Sequence, residues 1–146
     1  MMSNCTGGMV ILTVASSGIV LAMTEALLSN GYSVTGIARS FDAGVINSEN
    51  FEAVTLDLSE LDLLSKRLGE IISEISIPIR AVVHNAGVGK FASVEQLSVP
   101  DMKLVMETNF LSHAIVTKVF LPILKRQDTL ADIVFMGSES SINGSR

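Results

Sequence analysis

The sequence predicts an α/β fold: a doubly wound parallel sheet of about five strands, ordered 3-2-1-4-5, with helices on both faces. Three observations predict it. Short apolar runs alternate with helix-length amphipathic segments from Met9 to Met136, the pattern of repeated strand–helix–strand units. The runs are nearly continuous in apolar residues, as expected of strands covered on both sides. Polar clusters follow the runs: "ASSG", "ARS", "DL", "HNAG" and "GSES". Ligands on such sheets bind there, beyond the carboxyl ends of the strands. Right-handed crossovers then set the strand order.

Each element has its own signal. Met9–Val14 is a β-branched apolar run bounded by glycines before and "ASSG" after, a buried first strand. From Gly18 to Ser29, Ile19, Val20, Met23, Ala26 and Leu27 fall at helical spacing, and Asn30-Gly31 supplies the stop. Tyr32–Ala38 and Phe51–Leu56 are the second and third strands. Ser59 opens a helix, with Asp62 as a weak capping-box partner. Its apolar stripe includes Leu61, Leu64, Leu68, Ile71 and Ile75, and Pro78 ends it. Ile79–Val83 is the fourth strand. Ser98 caps a long helix with Pro100 in its first turn. That helix runs to about Lys125 and is predicted to kink at Pro122. Ala131–Met136 is the fifth strand.

Composition narrows the function. The 146 residues are expected to form one domain, residues 1–146. A formal charge of −5 with interspersed signs, and no basic patch, points away from nucleic acid. One cysteine, Cys5, fits a reducing, cytoplasmic location. His84 and His113 lack ligand spacing, so no metal site is expected. Between Gly7 and Leu28 only Glu25 is ionisable, but no Lys or Arg precedes Arg39. A signal peptide would need such a charge. A membrane span would bury Glu25 at a cost of about 3 kcal/mol. Neither is expected.

The strand ends carry the chemistry. A helix N-terminus flanked by the Ser16 and Ser17 hydroxyls suits a phosphate; an ordinary serine cap is the alternative. Arg39 and Ser40 follow strand two, where a cation suits the 2′-phosphate of NADP; the alternative is a solvated surface arginine. Asp57 suits the adenine amino group, or it caps a turn.

Together these residues resemble the short-chain dehydrogenase/reductase family, whose fold is Rossmann-like. The family's TGxxxGxG reads "TVASSGIV" from Thr13 to Val20. Its aspartate after strand three matches Asp57 in "LDLS". Its NNAG reads "HNAG" from His84 to Gly87. Its asparagine matches Asn109 in "METNFLSHAIVTKVFLP", and its catalytic serine matches Ser138 in "IVFMGSES". The resemblance implies an oxidoreductase that moves hydride between NADP, rather than NAD, and a small carbonyl or alcohol. It implies Ser138 and Asn109 as catalytic residues. It implies a cofactor site of Ser16, Ser17, Gly18, Ile19, Arg39, Ser40, Asp57, Leu58, Asn85, Ala86 and Gly87. It also implies a homo-oligomer built through the helix from Ser98, which is apolar on more than one face.

The sequence departs from the family in four respects. Val14 stands where a glycine makes the tight turn, and Val20 where a glycine lets helix and strand pack closely. Each is expected to cost about 1–3 kcal/mol, to intrude on cofactor space and to weaken cofactor binding. His84 replaces an asparagine, a milder change. The family's YxxxK pair, in which a lysine lowers the pKa of a proton-donating tyrosine, has no counterpart up to Arg146. The one tyrosine, Tyr32, begins strand two. These departures predict a truncated chain, inactive alone, and favour as the alternative a non-catalytic remnant that acts through a partner.

Overall fold

The computed structural model describes residues 7–13, 18–41, 46–90 and 92–139. Strand β1 (Met9–Thr13) is central and wholly buried. It pairs in parallel with β2 (Ser33–Ala38) on one side and β4 (Ile79–His84) on the other. Outside these lie β3 (Phe51–Thr55) and β5 (Asp132–Phe135), also parallel. The order is β3-β2-β1-β4-β5, the doubly wound sheet predicted. Among the described residues, Val14, Ser16 and Ser17 do not occur, so the expectations placed on them lie outside the structure.

Side chains alternate across β1, as strand geometry requires. Met9 and Ile11 face a core shared with helix α2 (Leu61–Glu74) and helix α4 (Ser112–Leu124), whose Leu64, Leu68, Val116 and Phe120 are buried in it. Val10 and Leu12 face the other core, with Val34, Val83 and Val20 of helix α1 (Ile19–Ser29). Val20 therefore corrects one expectation. It is only 3% exposed and belongs to the packing of α1 on the sheet, turned inward rather than into ligand space.

Helix α1 ends as its sequence requires. Gly31, at φ 80°, lets the Tyr32 N–H reach the Leu27 carbonyl while its own N–H reaches Leu28, a closed C-terminal turn. Gly18 begins the helix at φ 60°, ψ −130°, and no side chain caps it. An L side chain at that backbone geometry is strained although the space around it is empty. Gly18→Ala should therefore destabilise the protein by about 1–3 kcal/mol, read by urea unfolding. An unchanged midpoint would show that the turn relaxes to another conformation.

Two helix boundaries differ from expectation. Helix α2 begins at Leu61, not Ser59, because Ser59 gives both its N–H (2.9 Å) and its hydroxyl (2.7 Å) to Asp57 Oδ1. The long helix is three segments: α3 (Val99–Met106), a π turn (Glu107–Leu111) and α4. Ser98 caps it as predicted, accepting from the Asp101 N–H. Pro122 lies inside α4, but the departure from α geometry comes at the π turn. No residue of α3 is buried, and Val99, Met102, Met106 and Phe110 are exposed. Among the described residues no helix is long and apolar enough to cross a membrane.

Candidate functional site

A crevice opens beyond the carboxyl ends of β2, β3 and β4. Arg39, Ser40, Asp57, Leu58, Ala86 and Gly87 line it, six of the residues singled out in the sequence. Asp57 is first of all a turn former, through its two bonds from Ser59. Partial burial works to raise its carboxyl. The Ser59 N–H and hydroxyl, with the Arg39 charge, outweigh that and hold it below the usual carboxylate range. Asp57 is thus an anion facing the crevice, with Arg39 as its nearby cation.

The loop Asn85–Val88 forms another wall, and three side chains fasten it. Thr13, fully buried at the end of β1, accepts the N–H groups of Asn85 (3.0 Å) and Ala86 (3.1 Å). Its own hydroxyl reaches the Val83 carbonyl at 3.4 Å. Asn109, in the π turn, accepts from the Val88 N–H (2.8 Å) and donates to the Val88 carbonyl (2.9 Å). His113 Nε2 donates to the Ala86 carbonyl at 2.9 Å. Gly87 serves the crevice by size alone. A Cβ there would meet nothing nearer than Asn109 Oδ1 at 3.8 Å, so the glycine leaves room beside the loop.

Ser138 is exposed, three residues beyond the end of β5, at the same end of the sheet as the crevice. Gly18 and Ile19 stand at the mouth of α1, after the central strand. Tyr32 is at the far end, against Gly7. The structure thus brings Arg39, Ser40, Asp57, Leu58 and the Asn85–Gly87 loop together, and adds Asn109 through its hold on that loop.

A sequence profile of the short chain dehydrogenase family matches residues 8–146. The chain belongs to the short-chain dehydrogenase family. A relative in Helicobacter pylori, "Probable short-chain type dehydrogenase/reductase VdlC", is 32% identical over 123 residues, covering 82% of this chain and 44% of that protein. The crystal structure of Cj0485 dehydrogenase superposes with a TM-score of 0.84 at 23% identity, covering 99% of this chain and 56% of its own. "ElxO with NADP Bound" gives 0.83 at 20%, covering 96% and 59%. At these identities the two structures establish the fold. The chain spans under half the length of the Helicobacter relative.

Sequence reasoning noted His84 as a departure from the short-chain dehydrogenase pattern and missed its surroundings. His84 is fully buried and stacks on Phe135, centroids 4.5 Å apart and planes at 14°. Its Nε2 lies 3.0 Å from Thr117 Oγ1, and its Nδ1 is buried with no protein partner. His113 lies 5.0 Å away, ring to ring. Burial first, then the neighbouring His113, pushes the His84 pKa down to about 4. Burial also lowers His113, against its bond to Ala86, which favours the charged ring. The spacing of His113 and Thr117, one turn apart on α4, was the available signal.

Proposed function

We propose that this chain is the dinucleotide-binding part of an NADP(H)-dependent oxidoreductase, moving hydride between the nicotinamide and a small carbonyl or alcohol. The observation that carries this reading is Arg39, at the carboxyl end of β2, lining the crevice beside Asp57. A guanidinium there is suited to a 2′-phosphate, and the fork of donors makes the contact strong. The NADP-bound structure of the same fold supports it. The residues present fit the group: one cation, an anion for the adenine end and a glycine that leaves backbone open. NADP(H), when bound, supplies the hydride. Ser138 is then the donor to the substrate oxygen. Asn109, with one lone pair and one N–H committed to Val88, keeps the second of each for a proton-relaying water.

Tyr32 lies at the far end of the sheet from the crevice, so it is not the acid that protonates the substrate oxygen. Association of two copies through the exposed face of α3 and the π turn is part of the same proposal, supported by Val99, Met102, Met106 and Phe110.

Calorimetric titration tests the cofactor. NADP⁺ should bind about tenfold or more tightly than NAD⁺, and Arg39→Ala should remove that preference while changing NAD⁺ little. Equal affinities in the unaltered chain would overturn the assignment. A second reading, a non-catalytic remnant with a partner, rests on Val14, which stands in the sequence where the family motif has the glycine of the tight turn. A folded chain that binds neither dinucleotide at millimolar concentration would favour it.

A further inference from the structure

Three aromatic rings form a stack from the sheet edge to the crevice loop. Phe135 of β5 lies on His84 of β4, and His84 lies beside His113 of α4, tilted 37°. His113 then ends the series on the Ala86 carbonyl. The stack is anchored by Thr117 on the His84 ring and by the Met136 N–H on the His84 carbonyl, at 2.8 Å. Such offset contacts favour one mutual arrangement beyond the area they bury. Because His113 donates Nε2–H to a carbonyl, its neutral tautomer is set, and the same N–H persists when the ring is charged. The charged residues lining the groove beside the stack are Lys118 and Lys125, and no acidic residue lines it.

We propose that His113 is a positioning residue for the dinucleotide crevice, holding Ala86 in place, and that the stack through His84 to Phe135 holds His113. The loop is fastened from below by Thr13 and from one side by Asn109; His113 is its third tie. The stack also links the strand that leads to Ser138 with the loop that walls the crevice. The consequence for dinucleotide binding rests on the function proposed above.

Hydrogen exchange on the ligand-free chain tests the positioning directly. In His113→Ala, the Ala86 and Val88 amides should exchange about tenfold faster or more, while Ile11 and Val82 in the sheet are unchanged. His113→Gln, whose amide N–H can also reach Ala86, should restore protection. Phe135→Leu, which removes a ring but keeps an apolar side chain, should loosen the same loop to a lesser degree; it carries the test if His113→Ala does not fold. Unaltered loop exchange, equal acceleration across the whole sheet, or no rescue by glutamine would overturn the proposal. In a second arm, NADP⁺ affinity should fall about tenfold in His113→Ala and recover in His113→Gln. If the unaltered chain binds no NADP⁺, the proposed function fails, while the exchange arm still decides the role of His113.

Discussion

Thr13→Val should destabilise the protein by about 2–4 kcal/mol and loosen the loop at the crevice wall. The two side chains have nearly the same shape, so no cavity opens and the apolar packing of β1 survives. What disappears is the oxygen that accepts from both Asn85 and Ala86. An unpaired buried N–H costs about 1–3 kcal/mol. Ala86 is 4% exposed, so water cannot replace the lost acceptor there, whereas half-buried Asn85 regains part of its loss. Thr13→Ser, which keeps the oxygen, should cost far less. Urea unfolding of the three proteins measures the difference. A valine variant within about 1 kcal/mol of the parent would mean that the loop finds other partners.

Acid should weaken the fold over a window set by His84. Its folded pKa, about 4, lies below the ordinary histidine value of 6.5. The unfolded chain therefore binds the proton more tightly. Stability from this group is complete above pH ~6.5, declines as pH falls, and is lost by about pH 4. The full difference is about 3 kcal/mol. No charged partner compensates, because the neighbour that shifts His84 by charge is another imidazole. His84→Asn carries no titrating group and should flatten the profile across this window. Denaturation midpoints from pH 7.5 to 4.5 compare the two. Parallel curves would assign the acid sensitivity elsewhere.

The sheet was legible because its signals are local. β-branched runs marked the strands, Asn30-Gly31 marked the end of α1, and Ser98 marked the start of α3. The crevice was legible for a related reason: its residues follow strand ends, and a parallel sheet gathers those ends on one side. The misses are tertiary. Ser59 looked like a helix cap, but Asp57 two residues earlier claims both of its donors. Val20 looked like an intruder, but its place near the start of α1 turns it toward Val10 and Leu12. His84 and His113 meet only when α4 lies across β4, and the spacing of His113 and Thr117 on α4 was the one signal along the chain. The π turn is bracketed by ordinary helix, and nothing in "ETNFL" distinguishes it from an α-helical turn.

That π turn makes the number of residues between Val99 and Leu124 a functional quantity. Each extra residue carried in a helix turns everything beyond it by about 100°. The α3 and α4 segments are therefore two scales with offset zero marks. The offset lets Asn109 address Val88 while Val116 and Phe120 still address the core. Deleting one residue from Glu107–Leu111 would restore a uniform pitch and put one of those two contacts out of phase. Here arithmetic outranks chemistry: the segment should accept many changes of side chain more readily than a change of length.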